Sequence, residues 1–139
     1  MTNDPDVIFT YGTLRPGLGD RPEAQAFRAT ARHLGPATFQ GQLYAIDWYP
    51  AAIDSNDPSD IIFGDLFEIG KAPDFFNKLD TYEGCSPAWP QPYEYIRVVR
   101  QVTFQTRIIP AWVYLFNWQI TDQARIRSGD FSDHVSGSR

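Results

Sequence analysis

The chain reads as an α+β domain in which a curled, mixed sheet closes into a small β-barrel flanked by two or three short helices. Three observations predict this. About five strand-like segments accompany only two clear helical patterns, and the strands are linked mostly by loops rather than regular crossovers. The composition, 42% hydrophobic and 15% aromatic, supplies a core without disulfides or metals. Two helices cannot cover a flat five-stranded sheet, so closure buries apolar surface that an open sheet would leave in water. With 139 residues the chain is one domain (1–139), a size that buries roughly 68% of its unfolded surface.

The elements follow in order. Val7 to Tyr11 is an apolar strand. Pro22 precedes a helical pattern with Phe27, Ala31 and Leu34 at i, i+4 and i+7, and Gly35-Pro36 reads as its stop. Phe39 to Ile46 alternates, placing Phe39, Gly41, Leu43 and Ala45 on one face. Asp54 to Asp60 is a polar loop, and Ile61 to Ile69 is a strand with Ile61, Phe63, Phe67 and Ile69 on one side. A short helix then carries Pro73 in its first turn, an apolar stripe of Phe75, Leu79 and Tyr82, and Gly84 just past its end. After the proline-rich Cys85 to Pro92 loop, Tyr95 to Phe104 and Ile108 to Trp118 read as the longest strands, paired as a hairpin. Ile120 to Phe131 is too short and mixed to assign, and 132–139 reads as a flexible tail.

Charge and cysteine usage narrow the partners. A formal net charge of −5, with 12 scattered basic residues, argues against binding nucleic acid or an anionic membrane. The single cysteine, Cys85, forms no internal disulfide, which suits a reducing cytoplasm. No apolar run approaches ~18 residues and the polar start is no signal peptide, so a cytoplasmic protein is expected.

Two segments carry candidate chemistry. Tyr11-Gly12-Thr13-Leu14 leaves the first strand through a tight turn whose backbone N–H groups suit a carboxylate or a developing oxyanion. Plain turn chemistry, with Gly12 meeting a backbone need, is the alternative. Leu79-Asp80-Thr81-Tyr82-Glu83-Gly84 places Glu83 at a helix C-terminus, where exposed carbonyls disfavour an ionised carboxylate. Asp80 adds a like charge, and Phe75, Phe76, Tyr82 and Trp89 add desolvation, so the side chain is expected to hold its proton more tightly than usual. That property suits a general base, although a solvated helix-end glutamate fits the same residues. No phosphate-binding or dinucleotide glycine motif is present. Pairing Cys85 with His33, read on the first helix, or with His134 in the tail lacks a local signature, and two histidines and one cysteine show no metal-ligand spacing. Trp48, Trp89, Trp112 and Trp118 read as core, with one or two available to line a pocket.

Read together, Tyr11-Gly12-Thr13-Leu14-Arg15-Pro16-Gly17 and Leu79-Asp80-Thr81-Tyr82-Glu83-Gly84 resemble the gamma-glutamylcyclotransferase-like family, which includes the gamma-glutamylamine cyclotransferases. Gly41-Gln42-Leu43-Tyr44, Tyr49-Pro50-Ala51, Gly64-Asp65-Leu66-Phe67, Tyr95 with Arg97, Ala111-Trp112-Val113-Tyr114 and Ser128-Gly129-Asp130-Phe131 follow in the family's order. The resemblance implies a small mixed barrel with a cavity at one end, and cyclisation of a small gamma-glutamyl amine or peptide to 5-oxoproline. It implies Glu83 as catalytic base and acid, the Tyr11, Gly12, Thr13 and Leu14 loop as the substrate-holding segment, and Tyr95 and Arg97 at the pocket wall. No metal or cofactor is called for, because the substrate carries its own nucleophile. A binding module that keeps the fold without turnover is the competing reading. The loop between Glu83 and Tyr95 is longer and richer in proline than in the family's shorter members, which leaves the leaving group open.

Overall fold

The computed structural model describes residues 5–12, 15, 22–46, 49–69, 76, 79–80, 91–121 and 123–133, excepting the side chains of 22–24 and 26. Seven strands and one complete helix lie among them: β1 (Val7–Thr10), α1 (Pro22–Thr30), β2 (Arg32–Ala45), β3 (Pro50–Asp54), β4 (Ile61–Glu68), β5 (Tyr95–Phe104), β6 (Arg107–Phe116) and β7 (Ala124–Arg125). Five strands close a ring in the order β2-β4-β1-β6-β5, with β5 returning to β2 through Ala37↔Phe104 and Thr38↔Thr103. The β1–β6 pair is parallel and the other four pairs of the ring are antiparallel, so the barrel is mixed. Beyond Gln40, β2 leaves the ring to pair with β3 along one edge and with β7 at Tyr44 and Ala45.

Side-chain alternation fills both faces of this ring. Inside lie Phe9, Phe39, Ile62, Leu66, Val102, Val113 and Leu115, with Phe131 at 2% exposure joining them from the C-terminal segment. Outside, Ile8, Phe27, Phe67, Leu79, Tyr114 and Phe116 form a second apolar layer beneath the helical segments. Phe27 of α1 meets Phe67 edge-on at 4.9 Å, which fixes the helix against β4.

Several expectations need correction. The first helix ends at Thr30 rather than running to Leu34, and His33, Leu34, Gly35 and Pro36 belong to β2. Their backbone groups find partners in β4, and a bulge between His33 and Gly35, with Gly35 at φ 141°, absorbs the irregularity. Pro36 fits because β5 reaches β2 only from Ala37, so the missing N–H falls on an edge. Ile61, Phe63, Phe67 and Ile69 share a face, as expected, and it is the outer one. Ile62, Gly64 and Leu66 point inward, while Ile61 and Phe63 stay exposed.

The β5–β6 hairpin is as expected, from Tyr95↔Phe116 to Phe104↔Arg107, though the 14-residue β2 is the longest strand. Between β5 and β6, Gln105 takes φ 57°, the left-handed conformation a two-residue hairpin loop needs. β3 and β7 had no counterpart in the sequence pattern. Phe76, Leu79 and Asp80 are helical, as anticipated for that segment, while Phe75, Tyr82 and Gly84 fall outside the described residues. Ser132 and Asp133, expected in a tail, are helical, with the Asp133 N–H donating to the Asp130 carbonyl at 3.1 Å. Residues 134–139 lie outside the description. Among the described residues no helix is long and apolar enough to cross a membrane.

Candidate functional site

The exit of β1 is held from three directions. Tyr11, at 6% exposure, donates its hydroxyl to the Tyr114 carbonyl on β6. The Gly12 carbonyl accepts the Arg15 N–H at 3.0 Å. Pro50, the first residue of β3, packs so tightly on Gly12 that a Cβ there would lie 2.7 Å from its Cδ. Gly12 is therefore required by close packing and not by an unusual backbone angle. Thr13 and Leu14, the remaining members of the predicted loop, lie outside the described residues.

Tyr95 and Arg97 approach this region from β5. The Tyr95 hydroxyl donates to the Pro50 carbonyl at 2.6 Å, so Tyr95 fixes the residue that packs on Gly12. Arg97 grips Asp80 with both arms of its fork, Nε to Oδ1 at 2.9 Å and Nη2 to Oδ2 at 3.2 Å. Its guanidinium carbon sits 3.7 Å from the Phe76 ring centroid and 4.6 Å from that of Trp112. Asp80 also accepts the Tyr114 hydroxyl at 2.5 Å.

Asp80 stands three residues before Glu83 in the chain. The like charge expected of Asp80 is already engaged by Arg97 and Tyr114. Arg97 lies against it and offsets its charge. Glu83 itself lies outside the described residues, as do Cys85, Trp48, Trp89 and His134. His33 sits on β2 and not on the first helix.

A second polar cluster went unread in the sequence. Arg15 donates from Nε to Asp65 at 2.7 Å and from Nη1 to Asp130 at 2.9 Å, and His33 Nε2 lies 2.9 Å from the other Asp65 oxygen. Burial alone would lower the Arg15 guanidinium, but its bonds to the two carboxylates raise it. Burial likewise opposes ionisation of Asp130, and hydrogen bonds from Ser132 and Arg15 outweigh it and hold that carboxyl below its usual range. Gly129 supplies φ 74° beside the Ile61 carbonyl, where any Cβ would collide, and so lets Asp130 turn toward Arg15. The available signal was a charged residue, Asp65, inside an otherwise apolar strand, since such a group requires a partner when buried.

Comparisons with known proteins agree with this fold. The chain belongs to the gamma-glutamyl cyclotransferase, AIG2-like family, whose model matches residues 8–133. Among solved structures it is similar to YkqA of Bacillus subtilis at 23% identity and TM-score 0.70, covering 96% of this chain and 43% of YkqA. The chain thus spans less than half of that protein. PH0828 of Pyrococcus horikoshii matches at 22% identity and TM-score 0.66, over 97% of this chain and 100% of that one. An AIG2-like protein of Mus musculus matches at 18% identity and TM-score 0.66, over 86% of this chain and 82% of that one. No curated protein matches by sequence. The structural likenesses speak to the fold, and the family match to the class of protein.

Proposed function

We propose that the protein is a cyclotransferase acting on a small gamma-glutamyl amine or peptide, with Glu83 as the proton carrier and the Tyr11–Leu14 turn as the substrate cradle. One observation supports this beyond the family match. Tyr114 joins the two segments, accepting Tyr11 at its carbonyl and donating its hydroxyl to Asp80. The first-strand exit and Asp80, three residues before Glu83 in the chain, are thereby held to one residue.

The chemistry asks little more of the protein. The substrate's α-amine is already tethered to the γ-carbonyl, so a folded substrate approaches a near-attack geometry for a five-membered ring. Glu83 draws a proton from the α-ammonium, and the nitrogen attacks the γ-carbonyl carbon. Turn N–H groups steady the oxyanion while the new C–N bond forms. The intermediate collapses with cleavage of the bond to the departing nitrogen. Over the cycle two protons leave the α-nitrogen and both end on the leaving-group nitrogen, which departs as an ammonium ion. The products are 5-oxoproline and the released amine, and no water is consumed.

Incubation of the protein with a panel of gamma-glutamyl amines and dipeptides, with 5-oxoproline quantified, tests the proposal. The expected result is turnover on at least one compound at an enzyme-like rate of about 1 per second or more. Saturable binding across the panel without product would assign the fold to ligand capture instead.

A further inference from the structure

We propose that Tyr114 is a positioning residue that sets the spacing between the β1 exit at Tyr11 and Asp80, three residues before Glu83 in the chain; this inference rests on the function proposed above. Tyr114 and Arg97 are direct cross-strand partners in the β5–β6 hairpin. The two donors that hold Asp80 therefore come from one rung of the barrel wall, a rigid base line between strands roughly 5 Å apart. Together they deliver three hydrogen bonds to one carboxylate: two from Arg97 and one from Tyr114.

Phe76 and Trp112 flank the guanidinium on the same outer surface. Most helical stability in a protein comes from tertiary packing, so such anchors orient the helical residues Phe76, Leu79 and Asp80. The opposite end of Tyr114, its carbonyl, holds the Tyr11 hydroxyl. Carbonyl and hydroxyl of one residue thus hold Tyr11 on one side and Asp80 on the other.

This arrangement separates two effects that a merely stabilising residue would mix. Tyr114→Phe removes the hydroxyl that holds Asp80 and keeps the carbonyl that holds Tyr11. It is expected to lower kcat between about 10- and 100-fold while KM moves less than about threefold, because base placement suffers and the cradle does not. Tyr11→Phe releases the cradle and is expected chiefly to raise KM. Arg97→Lys keeps the charge but loses the fork, and repeats the kcat-specific loss if Tyr114→Phe folds poorly.

Amide hydrogen exchange supplies a readout independent of turnover. In Tyr114→Phe, exchange at Leu79 and Asp80 should accelerate about tenfold or more, while the β5–β6 hairpin keeps its protection. An unchanged kcat in a folded Tyr114→Phe, or equal changes of kcat and KM in both tyrosine variants, would overturn the proposal. If wild-type protein turns over nothing, the functional reading fails by itself, and the exchange pattern alone then decides for or against the anchor.

Discussion

At Gly12 an added methyl would press on Cδ and Cγ of Pro50 at 2.7 and 2.8 Å, and Pro50 has no easy retreat because its carbonyl is held by Tyr95 at 2.6 Å. Gly12→Ala is therefore expected to destabilise the fold by about 1–3 kcal/mol, the usual range for overpacking, and to weaken substrate binding as the turn is displaced. Urea denaturation and KM measure the two effects. Unchanged stability would mean that the Pro50 ring moves freely. The sequence showed that a turn at Gly12 wants a small residue, but not why, since Pro50 is distant in the chain. Asp80 teaches the same lesson in reverse. Its spacing from Glu83 was readable, while Arg97, the partner that offsets its charge, comes from another element.

Among the elements, the 55–60 loop that follows β3 and the strand β7 depend on one carboxylate. Asp60 accepts from Ser55 at 2.7 Å, Gln42 at 2.9 Å and Arg125 at 2.7 Å, which ties the loop to β2 and gives the two-residue β7 its place. The Ser55 bond, then those of Gln42 and Arg125, hold the Asp60 carboxyl down from 3.8 to about 2. A folded-state value below the unfolded one means stability that is complete above the ordinary carboxylate range and lost as pH falls from about 4 to about 2. Asp60→Asn should flatten the pH dependence of urea unfolding in that window. An identical acid limb in both proteins would contradict the assignment. The loop's polar composition announced it, whereas a two-residue strand has no period to detect. The misplaced helix end has a related cause. Leu34 continued a helical spacing, but the ladder with β4 satisfies the backbone from Arg32 onward.

Across the whole molecule, Asp65 joins distant parts of the chain: Arg15 after the turn, His33 on β2 and, through Arg15, Asp130 near the C-terminal end. With the Asp65 side chain only 12% exposed, Asp65→Asn removes charge-assisted bonds from a shielded position. It should cost about 1.5–3 kcal/mol, read by denaturant titration; a loss near zero would show that water replaces the network. Barrel closure was legible because five strands and few helices leave an open sheet half uncovered. The particular seam, Ala37 and Thr38 against Phe104 and Thr103, was not, since a short antiparallel contact leaves no mark in either strand's pattern. The proposed reaction requires Glu83 to move the proton. The most direct measurement is 5-oxoproline formation by Glu83→Gln on a substrate the wild type accepts, with folding and ligand binding checked in the same preparation. A loss of about 10²–10⁴-fold in kcat with binding retained is the predicted result. Rates equal to wild type would contradict it.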